Sequence, residues 1–349
     1  MLDYIIIGQG LAGSFLAKHL FDLQKKIKII DVYNPKGSSN IASGIANPIT
    51  GRKMVKTWEA DIVFPYSYKK YLALENQFQK KYTATTPLVK VFSSKADQLL
   101  WQKKSELIDY KDYTGNIFSI GNTAINQPYA CAEIKQGYWV NVPELMQDFR
   151  HFFLTNNVLM EEHFDFQAME IFPDKIKYKQ LEAKRIVFCE GYKAIFNPWF
   201  NYLPFTTAKG DLLYFHAPQL NLKEILTKGI HIVPLGNDQY LLGATFIWHD
   251  LSESVSEDGR AELHEKLSKL INCPFEIINE TAGIRPTIKD RRPVLGAHPK
   301  HPNLYIFNGL GTKGVTLSAL MAEKLTAHIE DNLPIDDEVS INRFINDYK

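Results

Sequence analysis

Short apolar runs alternate with amphipathic stretches at both ends of the chain. Tyr4-Ile5-Ile6-Ile7 is an uninterrupted apolar run rich in β-branched residues, the pattern of a parallel strand buried on both faces. Apolar residues at positions 11, 12, 15, 16, 20 and 23 then follow helical spacing. After the polar pair Lys25-Lys26, Ile27-Lys28-Ile29-Ile30 reads as a second strand that ends on Asp31. Strand, helix and strand this close together predict a βαβ unit with a right-handed crossover.

The middle of the chain has another rhythm. Residues 34–53 are rich in Gly, Ser, Asn and Pro and predict a long functional loop. A helix is expected over about 65–79, and 86–135 read as antiparallel structure, with β-like runs at 88–92 and 116–120. Val142-Pro143-Glu144 opens a helix to about 156, with Pro in its first turn. Strands are expected at 158–161, 166–172, 175–178, 185–189, 211–215, 231–234 and 239–244, and a charged helix at 257–271. The chain closes with a strand at 304–307, a Gly-rich turn and a helix over about 316–330. A β-rich middle between α/β ends implies a domain built from separated pieces of chain.

Composition narrows the class without naming a chemistry. At 349 residues the prior is about two domains. With 45% apolar residues the chain can build a core without covalent staples. Lys plus Arg (40) nearly balances Asp plus Glu (39), so the net charge of +1 argues against a nucleic-acid partner or an anionic membrane surface. Cys131, Cys189 and Cys273 stand far apart, which excludes a disulfide framework and points to a reducing, cytoplasmic setting. No run approaches the ~20 apolar residues of a membrane span. Asp3, Lys18 and His19 also break the pattern of a secretory leader.

Chemistry enters at the first turn. Gly8-Gln9-Gly10-Leu11-Ala12-Gly13 is G-x-G-x-x-G placed where a strand ends and a helix begins. Gly8 permits the tight turn, Gly10 lets backbone approach a pyrophosphate, and Gly13 allows close helix–strand packing. The helix N-terminus, including Leu11 and Ala12, offers N–H groups and a positive dipole end to phosphates. Asp31, at the end of the second strand, is placed to bind ribose hydroxyls and disfavours a 2′-phosphate. The motif predicts dinucleotide binding and leaves NAD and FAD open.

Two further blocks lie near the C-terminus: Ala282-Gly283-Ile284-Arg285-Pro286 followed by Asp290-Arg291-Arg292-Pro293-Val294-Leu295-Gly296, and Asn308-Gly309-Leu310-Gly311-Thr312-Lys313-Gly314-Val315. Together with the first fingerprint they resemble the D-amino-acid oxidase and glycine oxidase superfamily of FAD-dependent oxidoreductases. Lesser matches fall at Ala42-Ser43-Gly44, Gly137-Tyr138-Trp139, residues 187–191 and Gly243-Ala244-Thr245. Residues 42–48, 137–145, 309–315 and Leu333-Pro334-Ile335 also look like the FAD domain of the bifunctional enzyme that processes methylaminomethyl-uridine in tRNA. The resemblance implies an α/β plus antiparallel-β fold. In it a Rossmann-like FAD-binding domain (1–75, 140–203 and 281–349) interleaves with a substrate domain on an antiparallel sheet (76–139 and 204–280). It implies hydride transfer from a carbon beside an amine to flavin, with the cofactor carrying the hard chemistry.

On that resemblance Arg285 holds a substrate carboxylate, a role suited to its planar fork. Gly309, Gly311, Thr312, Lys313, Gly314 and Val315 bring backbone N–H groups and a helix end to the flavin, and Ser43, Gly44 and Gly191 contribute to the same site. Lys313 and His231 are further candidates for contact with substrate. Glycine oxidases carry a second carboxylate-binding Arg where this chain has Thr312, which argues against glycine. No cysteine sits at a matched covalent-flavin position, so FAD is expected to bind noncovalently. The expected partner is a small carboxylated amine, reoxidation falling to oxygen or another acceptor. Two alternatives stand beside it: removal of a carboxymethyl group from a modified wobble uridine in tRNA, and a flavin-binding electron-transfer or structural subunit.

Overall fold

The computed structural model describes residues 1–248 and 250–348. The first strand, β1 (Leu2–Ile7), lies inside a sheet and not at its edge. It runs parallel to β2 (Ile27–Ile30) on one side and to Leu181–Phe188 on the other. Leu159–Met160 extends the sheet beyond β2, and Leu304–Asn308 runs parallel to Leu181–Phe188 at the opposite side. A hairpin of Met169–Ile171 and Ile176–Tyr178 pairs with the start of Leu181–Phe188, and Val294–Ala297 runs antiparallel to Leu304–Asn308. Three distant stretches of chain therefore make one sheet.

The unbroken apolar run of β1 follows from this position. Tyr4 and Ile6 belong to one core and Ile5 and Ile7 to another, on opposite faces of the sheet. Each fully buried Ile contributes about 1.5–3 kcal/mol. The first face is covered by α1 (Leu11–Asp22) and the last helix, Gly314–Asp331, whose Leu16, Leu20, Met321 and Leu325 are buried together.

The second large sheet has nine strands. Ala208–His216 lies between Glu276–Arg285 and Gln239–Gly243, with Ile247–Trp248 paired to its start, and is followed outward by His231–Gly236, Ile225–Thr227, Leu88–Val91, Cys131–Ile134 and Thr114–Phe118. All these pairings are antiparallel except that of Ile225–Thr227 with Leu88–Val91. The helix Glu257–Leu270 covers one face through Leu263, Leu267 and Leu270. A small sheet of Ile45–Ala46, Tyr138–Val140 and Thr83–Ala84 ties the 34–53 loop to the rest.

The elements depart from expectation in four places. The helix expected from Pro65 spans Ala60–Phe78 with Pro65 inside it, because Ala60, Val63 and Phe64 are buried and extend the apolar face upstream. The helix Lys95–Ser105 interrupts the antiparallel structure expected over 86–135; Trp101 is its one buried residue, so it carries almost no periodic signal. Residues 166–168 form a short 3-10 turn, and only Met169–Ile171 is strand. The ten-residue strand Glu276–Arg285 has no counterpart among the expected elements and carries the Ala282–Arg285 part of the first C-terminal block.

Candidate active site

A cavity of about 1510 Å³ opens between the parallel sheet and the uncovered face of the antiparallel one. Its wall includes Gly8, Gly10, Leu11, Ala12 and Asp31 from the βαβ unit. Gly8 has φ +99°, and a Cβ there would sit 2.5 Å from the Cys189 carbonyl oxygen. Gly13 is not on the wall: a Cβ there would fall 1.9 Å from the Gly8 carbonyl oxygen, so its role is packing of α1 against the turn. No side chain caps α1 through Gly10, although the Leu11 N–H donates to Ser39 Oγ at 3.0 Å. The α1 N-terminus therefore presents a positive dipole end to the cavity.

Asp31 is held from two sides. Its carboxylate accepts the Gln9 N–H at 3.0 Å and an Arg150 Nη1–H at 3.0 Å. Burial raises the Asp31 pKa, and these two donors oppose it. Arg150 also donates to Gln9 Oε1 at 3.0 Å, which locks the three groups together. Sequence reading missed Arg150; the available signal was an arginine on the apolar face of an amphipathic helix, Val142–Thr155.

Ser43, Gly44 and Gly191 also line the cavity. The Ser43 carbonyl accepts the Trp139 indole N–H at 2.8 Å, and Gly191 O accepts Asn308 Nδ2–H at 2.9 Å. Glu190, beside Gly191, accepts Asn197 Nδ2–H at 2.7 Å, and burial pushes its pKa up to about 7. The loop from Gly309 to Val315 completes this side, with Gly311 N–H bonded to Pro286 O at 3.1 Å. That bond couples the two C-terminal motif blocks. The helix Gly314–Asp331 has no side-chain cap, so a second helix N-terminus meets the same cavity. Thr312 is exposed. Lys313 Nζ donates to Thr57 Oγ1 at 3.1 Å and Asn47 O at 3.3 Å, and burial lowers its pKa to about 8.

Arg285 reaches the cavity from the antiparallel sheet. Its Nη1 donates to Thr245 O at 3.1 Å and Lys209 O at 3.3 Å, and Phe246 lies 4.3 Å from the guanidinium carbon. The group lies across Gly210, where a Cβ would be 2.1 Å from Nη2. Burial lowers its pKa to about 10 and Asp211 opposes the shift, so Arg285 is charged at neutral pH. Among the described residues no carboxylate lies within ion-pair distance of it. Asp211 is taken by Ser256 Oγ–H at 2.8 Å, and Lys209 by Asp250. His231 is half-buried, and its Nδ1 is buried and unpartnered among the described residues. Burial, then the charges of Lys313, Lys90 and Arg285, lower its pKa to about 4. It is a neutral imidazole at pH 7, which removes it as a cationic carboxylate ligand.

The residues fit FAD: two uncapped helix N-termini, a Gly8 turn closed to any Cβ and a clamped Asp31 converge on one cavity. Fold and site define a flavin-dependent oxidoreductase. The chain belongs to the DAO family of FAD-dependent oxidoreductases, whose model matches residues 3–328. It is similar to the tRNA 5-methylaminomethyl-2-thiouridine biosynthesis bifunctional protein of Vibrio campbellii, at 25% identity over 96% of this chain and 57% of that protein. The chain spans about half the length of the curated relatives of this kind that it matches. Among solved structures, glycine oxidase from Geobacillus kaustophilus superposes with TM-score 0.79 at 19% identity, covering 96% of each chain. Iminodiacetate oxidase from Chelativorans sp. BNC1 does so with TM-score 0.78 at 16% identity, covering 97% of this chain and 99% of that one. No helix among the described residues is long and apolar enough to cross a membrane.

Proposed function

We propose that the protein oxidises a small carboxylated amine to an imine, using noncovalently bound FAD, in the cytoplasm. The observation that carries this reading is Arg285: a charged guanidinium turned into the cavity, held by backbone carbonyls and free of any carboxylate among the described residues. A half-buried, partly desolvated cation of this kind is costly unless an anion completes it. Arg285 binds the substrate carboxylate, and Gly210 leaves room for it to do so. Neutral His231 accepts or donates one hydrogen bond beside the amine without adding charge. Bound FAD supplies the two-electron acceptor, and oxygen or another acceptor reoxidises it. The α1 N-terminus and Asp31 would hold the dinucleotide end, and the Gly309–Lys313 turn with the last helix would offer N–H groups and a cation to the negative charge that reduction adds.

Anaerobic addition of glycine, sarcosine, D-amino acids, proline, iminodiacetate and carboxymethylaminomethyl-uridine to the FAD-loaded protein tests this directly. Bleaching of the flavin by at least one carboxylated amine is expected, and its loss in Arg285→Ala. A flavin that stays oxidised with every amine overturns the reading and leaves an electron-transfer or structural subunit.

A second reading, oxidation of a modified uridine in tRNA, draws on the likeness to the tRNA-modifying bifunctional proteins and on the cavity mouth. Exposed Phe196, Phe246 and Trp248 stand there with exposed Arg52 and Lys53. Aromatic rings beside cations suit a nucleobase and its phosphates. Salt-dependent tRNA binding, with flavin reduction by modified tRNA alone, would select it.

A further inference from the structure

The sheet face opposite the flavin-side loops carries a second unpaired cation. Lys90, Thr227 and His231 are register partners on three adjacent strands, Leu88–Val91, Ile225–Thr227 and His231–Gly236. All three line the cavity, so they form a row across its floor. Thr227 is buried and Lys90 is half-buried. Asp97 is the carboxylate that acts on Lys90, yet it lies beyond ion-pair distance and is engaged by the Ser93 N–H at 3.0 Å. His231 lies between the two poles in strand order: its strand has Ile225–Thr227 and the Lys90 strand on one side, and Gln239–Gly243, Ala208–His216 and the Arg285 strand on the other. Lys and Arg outnumber Asp and Glu along the whole lining, in a chain whose net charge is only +1.

A lone carboxylate on Arg285 leaves the Lys90 end uncompensated. We infer that Lys90, with the Thr227 hydroxyl beside it, binds a second acidic group, so that the substrate is an amine with an anionic group at each end. The inference rests on the proposed amine oxidation for the identity of the Arg285 pole. Lys90 supplies a charge-assisted hydrogen bond from a poorly solvated ammonium, Thr227 adds a neutral donor, and His231 spans the middle of the ligand without repelling either cation.

Calorimetric binding to the FAD-loaded protein separates this inference from the reading it rests on, because no oxidation is required. The probes are acetate, glutarate and 3-phosphonopropionate. Wild type is expected to bind at least one of the two diacids about tenfold or more tightly than acetate, a difference of about 1.4 kcal/mol. Lys90→Gln should collapse that ratio and Lys90→Arg should keep it, while Arg285→Ala should weaken acetate and diacids alike. Preference for glutarate identifies the second group as a carboxylate, and preference for the phosphonate as a phosphate-like dianion. Equal affinity for acetate and both diacids, or a ratio unchanged in a folded Lys90→Gln, overturns the inference, even if amines bleach the flavin. A lasting diacid preference with no amine oxidation would overturn the proposed function and leave the second pole standing.

Discussion

Gly210 is where Arg285 crosses its neighbouring strand, and a methyl group there would stand 2.1 Å from the guanidinium. Gly210→Ala is therefore expected to push Arg285 off Lys209 O and Thr245 O without unfolding the sheet. KM for a carboxylated amine should rise about 10- to 100-fold, the loss of one charge-assisted contact, with kcat less affected. Steady-state kinetics check this; an unaltered KM would remove Gly210 as a positioning residue. Lys313 makes a second residue-scale prediction. With its pKa lowered to about 8, it is charged below that pH and neutral above. An anion held partly by Lys313 binds best on the acid side, so kcat/KM should fall as pH rises through about 8. Lys313→Met should remove that inflection. His231, at about 4, should add none between pH 5 and 7. At this scale the sequence showed the glycines and Arg285 through their local motifs. Gly210, Lys90 and Arg150 stayed hidden because their roles arise from register between strands and helices far apart in the chain.

At the scale of elements, Glu75 joins the helix Ala60–Phe78 to the strand Thr83–Ala84. Its Oε1 accepts the Tyr82 and Thr83 N–H groups at 2.8 and 2.6 Å and Thr83 Oγ1–H at 2.7 Å. Burial would raise its pKa, but these bonds and Lys81 outweigh it and lower the value to about 2. The folded pKa lies below the unfolded one, so the stabilisation is complete above about 4.5 and is lost as pH falls through about 2. Glu75→Gln should cost about 2–3 kcal/mol at pH 7, and the gap to wild type should shrink by more than half at pH 3. Denaturant unfolding at the two pH values measures it, and an equal gap would exclude the linkage. Elements were legible where their pattern was self-contained. β1 is an unbroken apolar run buried on both faces, and α1 carries its apolar residues at helical spacing, so each pattern is complete within its own element. The helix Lys95–Ser105 buries one tryptophan, so its periodic signal is nearly silent. Glu276–Arg285 is mostly exposed or half-buried along its first six residues and becomes a strand by pairing with Ala208–His216.

For the whole molecule, the cofactor cavity draws its walls from both ends of the chain and from the antiparallel sheet. A ligand bound there stabilises every contributing segment at once. FAD at 100 times its Kd should add about 2.7 kcal/mol and raise Tm by about 3–4 °C, the two sheets melting in one transition. Calorimetry with and without FAD reads both; a transition split by FAD would show that the sheets unfold independently. The interior place of β1 has a consequence in time as well as in space. A ribosome adds about 5–20 residues per second, so on the order of 15–60 s separates the synthesis of residues 2–7 from that of residues 304–308. Until then the glycine turn after β1 exists without the Gly309–Val315 loop that faces it across the cavity. The nascent protein must keep one of its most apolar segments from wrong partners for most of its own translation.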